Sequence, residues 1–296
     1  MQLFRLFLML LSFPAYSATY KIPFDYGDNN VAYIKLEANT HLWQPCDCQG
    51  QALTLKDMGV ETLLKALNAE NTNIPDVSLH ATLQHSPQEI QAPLLIVPGG
   101  YVSSAFPVTA EYFASHGYQI LYVDTGRESL IDQVKMVKQV LHKYEKLIRQ
   151  SSKTVFYGFH SGAGVALHLS ETFPASGLIS IEGNESWKNE KMGWPALKKT
   201  LNVNKINLPI HRFYSPNKLP EWYFSSPKNT TLEFYQNYSG PTEVTKLDEE
   251  LGHDELSDLV LWFTWEPKLY QPPTLGRVDE YNRMLGLIRQ QIEQWK

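Results

Sequence analysis

Val155-Phe156-Tyr157-Gly158-Phe159-His160-Ser161-Gly162-Ala163-Gly164 is the stretch whose reading decides the fold. An apolar run of strand type ends in a glycine-flanked turn, and small residues follow at once in a helical pattern through Val165-Ala166-Leu167. Such a passage needs glycines where strand and helix cross, because a side chain there has no room. Working outward, apolar runs of four to five residues alternate with helical stretches from Leu94 onward, which is the rhythm of βα units and a mainly parallel sheet covered on both faces. Leu94-Leu95-Ile96-Val97 closes on Pro98-Gly99-Gly100, and Val108 to Ser115 reads as a helix leading through Gly117 into Gln119 to Val123. Leu130, Val134, Val137, Leu141, Tyr144 and Ile148 fall on one helix face, and Val278, Tyr281, Leu285, Ile288, Ile292 and Trp295 on another. Further strands are expected at Thr154–Tyr157, Leu178–Ile181, Pro209–Tyr214 and Thr231–Tyr235, with 187–205 as a short inserted segment and partial lid.

The N-terminal part is less regular. Strands are expected near Val31–Leu36 and Ser78–Leu83 and a helix near Leu55–Leu67. We read 19–90 as antiparallel edge strands and decoration on a core of 91–296, the two forming a single α/β domain. The chain has 296 residues, 43% of them hydrophobic, enough for one sizeable core. A net charge of −5 gives no basic face for nucleic acid. Residues 1–18 have the form of a secretory signal: Arg5, the apolar run Leu6–Leu11, and small residues in Ala15-Tyr16-Ser17. The apolar run is shorter than the about 20 residues a bilayer requires, so the expectation is an exported, secreted or periplasmic protein with no stable membrane insertion. Cys46 and Cys48 are the only cysteines. They are expected to pair, with free thiols or a metal site including His41 as alternatives. No phosphate loop or dinucleotide fingerprint occurs at a strand–helix junction, and no cofactor is expected.

Three stretches, in this order and spacing, resemble the α/β-hydrolase superfamily. They are Pro98-Gly99-Gly100 after a strand, Gly158 to Leu167, and Gly252-His253-Asp254 near the end. Members of the dienelactone-hydrolase-like branch have similar middle stretches, with serine or cysteine where His160 stands. The resemblance implies an ester or acyl hydrolase acting on a small molecule, with its nucleophile at the strand-to-helix elbow. It also implies oxyanion donors from the residue after the nucleophile and from the Gly100–Tyr101 turn, and a histidine base, His253. Two registers compete at the elbow. With His160 at the apex, Gly158 and Gly162 flank it, and Ser161 supplies the following N–H. With Ser161 at the apex, the flanking residues are Phe159 and Ala163, and the donor is Gly162. Sterics favour His160, because phenylalanine two residues before the apex crowds the crossing. The acid is less marked. The stretch Tyr214-Ser215-Pro216-Asn217-Lys218 has no carboxylate, so Glu182, at the end of the preceding strand, is the expected acid, ahead of Glu221 and Asp124. The alternative reading is an inactive hydrolase-fold protein that binds rather than cuts. Trp187, Trp194, Trp222 and Tyr223 either line a pocket or pack as core.

Overall fold

The computed structural model describes residues 25–59, 78–99, 106–126, 128–183, 185–186, 188–215, 231–247, 258 and 275–295. Ten strands form one sheet. They are β1 (Asn30–Glu37), β2 (Thr40–Cys46), β3 (Ala52–Thr54), β4 (Ser78–Gln84), β5 (Leu94–Gly99), β6 (Gln119–Asp124), β7 (Thr154–Phe159), β8 (Gly177–Ile181), β9 (Ile210–Tyr214) and β10 (Thr242–Lys246). The helices are α1 (Pro107–Ser115), α2 (Leu130–Lys143), α3 (Glu145–Gln150), α4 (Ser161–Leu169), α5 (Thr231–Asn237) and α6 (Leu275–Gln294). The sheet order is β10-β9-β8-β7-β5-β6-β2-β1-β4-β3. From β10 to β6 every neighbouring pair is parallel. β2 and β1 follow antiparallel, β4 runs parallel to β1, and β3 closes the edge antiparallel to β4.

The central parallel strands β5 to β8 are largely apolar because both faces are covered. Leu95, Val97, Ile120, Tyr122, Val155, Tyr157, Ile179 and Phe213 pack in one core with α1 and α6. Leu94, Ile96, Leu121, Phe156, Leu178 and Ile210 pack in the other with α2, α4 and α5. The described part of the inserted segment, 188–205, forms three short 3-10 turns, and its Trp194, Leu197 and Leu201 belong to that second core.

Several expectations are corrected in detail. Thr231–Tyr235 is not a strand but the start of α5. Its threonine and aromatic content suits either structure over so short a run. What decides is burial of Phe234 and Tyr238, one helical turn apart, in the second core. Among the described residues the last strand is β10, whose Thr-Glu-Val-Thr-Lys is too polar to read as one; Val244 is 54% exposed at the sheet edge. The stripe from Leu130 to Ile148 belongs to two helices that meet at Tyr144, which ends α2 and opens α3. β2 went unforeseen, and the N-terminal strands are not all antiparallel, since β1 pairs with β4 in parallel. Residues 55–59 form a turn, and the rest of the expected Leu55–Leu67 helix lies outside the described residues, as does the 1–18 segment. Cys46 and Cys48 form a disulfide with Cα atoms 5.2 Å apart, while the His41 ring shares a 2.7 Å hydrogen bond with the Tyr33 hydroxyl. Among the described residues no helix is long and apolar enough to cross a membrane.

Two buried carboxyls hold α1 in place. Phe106 caps the helix without a side-chain hydrogen bond, and Asp258 does the work from across the chain. It accepts from Val108 N at 2.6 Å, Thr109 N at 3.0 Å, Thr109 Oγ1 at 2.5 Å and the Tyr281 hydroxyl of α6 at 3.2 Å. A carboxylate here meets the unsatisfied N–H groups and positive end of the helix. Glu111 accepts from His80 N and Ala81 N, each at 3.0 Å, and so ties α1 to β4. Burial pushes Asp258 up to about 7 and Glu111 up to about 8, against these hydrogen bonds, which pull the other way. A carboxyl whose folded pKa exceeds its unfolded value keeps a proton that the unfolded chain releases. Its contribution is therefore whole below about pH 4 and is lost as pH rises through the folded values near 7 and 8. Urea unfolding should accordingly show a higher midpoint at pH 5.5 than at pH 8.5, with Glu111→Gln narrowing the gap. A midpoint that holds or rises at pH 8.5 would contradict protonated burial of this pair.

Candidate active site at the strand-to-helix elbow

The geometry of the elbow is set by two close approaches. A Cβ on Gly158 would stand 2.3 Å from the Cα of Ala163 and 2.5 Å from its nitrogen. A Cβ on Gly162 would stand 2.4 Å from the carbonyl oxygen of Pro98, at the end of β5. Both contacts are with backbone, so neither yields to a rotamer change. Between these glycines the chain must reverse within a few residues, and the residue at the bend is His160, with φ 50° and ψ −120°. That is a conformation L-residues avoid, at a cost of about 1–3 kcal/mol. His160 therefore occupies the apex, and Ser161 is the first residue of α4.

The surrounding rim is laddered. His160 N donates to Ile181 O at 2.9 Å, and Glu182 N donates to Phe213 O at 2.9 Å, so the residues leaving β7 and β8 sit in line along the sheet's carboxyl edge. Sites in open parallel sheets are built at this edge. His160 is half-buried. The N–H groups of Ser161 and Gly162, in the first turn of α4, have no acceptor within the helix, as at any helix start, and carry its positive end. Glu182 is the second residue with positive φ, at 46°, and is 1% exposed. Its Oε1 accepts from Ser215 N at 2.5 Å. The carboxyl thus reaches the first residue after β9, where the sequence itself supplies no acid. Asp124, by contrast, closes a local turn by accepting from Gly126 N at 3.0 Å.

The structure thus brings His160, Ser161, Gly162 and Glu182 to one rim. His253, Gly100, Tyr101, Glu221, Trp187, Trp222 and Tyr223 lie outside the described residues. Among the described residues no group of three or more histidine, cysteine or carboxylate side chains is placed to hold a metal. Sequence reasoning missed a polar group beside the rim: the buried Ser180, Glu185 and Arg212, with the partly buried Tyr235. Only Glu185 gave a signal, as a second glutamate three residues past Glu182.

Substitutions separate the role of the glycines from that of the apex. Gly158→Ala should cost about 3 kcal/mol or more, because the backbone of α4 must move. His160→Gly should leave stability unchanged or raise it by about 1 kcal/mol, as the strained φ becomes permitted. Chemical denaturation of the two variants beside the parent reads both. A His160→Gly protein destabilised by several kcal/mol would show that the apex is not strained.

No protein family matches the chain, and no curated protein is similar to it in sequence. Solved structures are similar in fold. A ferulic acid esterase from Streptomyces cinnamoneus superposes with a TM-score of 0.57 at 14% identity, over 86% of this chain and 82% of that one. Est1E from Butyrivibrio proteoclasticus gives 0.46 at 11% identity, over 88% and 99% of the two chains. A putative dipeptidyl aminopeptidase IV from Bacteroides ovatus ATCC 8483 gives 0.49 at 9%, over 87% of this chain and 33% of that one. The parallel sheet covered on both faces, the glycine-locked elbow and the esterase likeness together show that this chain has the α/β-hydrolase fold.

Proposed function

We propose that the protein is an ester or acyl hydrolase of a small substrate that works through the imidazole of His160. The observation that carries this reading is the apex conformation itself. A turn at φ 50° and ψ −120° is relieved by glycine, yet a bulky imidazole stands there, on a rim that holds a buried carboxylate next in line. Strain of this kind persists where surrounding structure over-determines it, and it clusters at working sites.

Histidine is a competent acyl acceptor. A ring nitrogen's lone pair attacks the ester carbonyl carbon. The oxyanion that forms is met by the Ser161 N–H at the positive end of α4 and, in our reading, by donors of the Gly100–Tyr101 turn. Collapse expels the alcohol, which leaves with the proton that the acylated ring gives up. Water then attacks the acyl-imidazole, its proton taken by His253 with Glu182 orienting that base. The acid is released as His253 returns that proton to the departing ring nitrogen of His160, which restores both histidines. Ser161 enters through its backbone in this scheme, and Gly162 through the close approach that fixes the bend. We also read the protein as exported, secreted or periplasmic; the Cys46–Cys48 disulfide supports an oxidising compartment.

A second reading is favoured by two features: the apex is not serine, and Ser215-Pro216-Asn217-Lys218 after β9 holds no carboxylate. In that case the fold binds a ligand and does not cut it. Turnover of p-nitrophenyl acetate and butyrate separates the two. The first reading requires turnover above blank, lost at least 100-fold in His160→Gly and kept within about threefold in Ser161→Ala. Loss in Ser161→Ala with His160→Gly still active would put the serine back as nucleophile. No turnover from folded parent protein would leave the binding reading.

A further inference from the structure

The register pairs Gly158 of β7 with Ser180 of β8, and Ser180 with Arg212 of β9, so the three lie side by side two residues below the rim. Arg212 is 8% exposed. A guanidinium withdrawn this far from water is normally matched by a carboxylate and hydrogen-bonded through most of its five donors. Here the described residues offer it neither. No carboxylate among them forms an ion pair with it, none accepts a hydrogen bond from it, and its enclosed Nε has no partner. Aromatic faces hold it instead. Its central carbon lies 4.2 Å from the Tyr235 ring centroid and 5.8 Å from that of Tyr214. Tyr235 is itself fixed by donating to Glu185 Oε1 at 2.6 Å, and Ser180 Oγ donates to the same oxygen. Glu185 Oε2 is enclosed without a partner, so this carboxylate is engaged away from the guanidinium. Stacking on aromatic rings fixes the plane of the guanidinium and uses none of its N–H donors.

We propose that Arg212 is an anion-recognising residue of this site, which reads a carboxylate carried on the ligand's acyl chain. The inference rests on the elbow being a ligand site and names its substrate class: half-esters of short dicarboxylic acids. The distance suits this. Arg212 and His160 are two strands and two residues apart, roughly 12 Å between Cα atoms by strand spacing, which an arginine side chain and a short acyl chain bridge together. Tyr214, the second ring near the guanidinium, stands two residues nearer the rim.

Calorimetric titration with monomethyl glutarate and, as neutral control, dimethyl glutarate tests this without requiring turnover. The parent should bind the monoester at least tenfold tighter than the diester, and His160→Gly should keep that preference. Arg212→Met should lose it while melting at the same temperature or higher, since a buried unpaired cation is removed. Should Arg212→Met not fold, Arg212→Lys decides, keeping a weakened preference if the charge is read and the full one if it is not. Equal affinity of the parent for both probes would overturn the proposal, as would a preference that survives in Arg212→Met or at full strength in Arg212→Lys. A preference for the monoester without ester turnover would keep the anion site and remove the hydrolase. Turnover without that preference would do the reverse.

Discussion

The constraint on which this structure turns is the crossing of β7 and α4 at van der Waals contact. Gly158 meets the backbone of Ala163, and Gly162 meets the carbonyl of Pro98. With both side chains excluded, strand and helix approach so closely that the intervening residue has one conformation left to it, and His160 takes it. The sheet's order around β7 is built to support this. β5 supplies the Pro98 carbonyl on one side, and β8 supplies the Ile181 carbonyl to the His160 N–H on the other.

The proposed function follows from what that bend displays. A nucleophile elbow lifts one side chain clear of the sheet's edge and places the start of a helix immediately behind it. The chemistry available is then that of the residue displayed, and here it is an imidazole. The nearby carboxyl of Glu182, the residue that follows β8, accepts from the N–H of the residue that follows β9. Its own positive φ is the backbone cost of that reach. Two strained non-glycine residues on one rim, out of two among all described residues, point to a site more than to incidental irregularity.

The elbow and the parallel strands were legible because their signals are local. Gly158 and Gly162 answer to atoms within a few residues or one strand away, and Leu94–Val97 or Leu178–Ile181 need only be apolar to be buried on both faces. The preference for His160 over Ser161 at the apex came from the same crowding. Elements whose character depends on distant partners were not legible. Thr231–Asn237 looks extended until Phe234 and Tyr238 find the second core. Thr242–Lys246 looks like a loop until β9 offers it a ladder. Asp258 caps a helix 149 and 150 residues earlier in the chain, and no spacing announces that. Arg212 reads as an ordinary strand residue until Tyr235 stacks on it.

That His160 is the group that reacts is tested most directly by covalent trapping. Folded protein treated with a fluorophosphonate at neutral pH, read by intact mass and then mapped by peptide without acid exposure, should carry one adduct on His160. An adduct on Ser161, or none on protein shown to be folded, would contradict it.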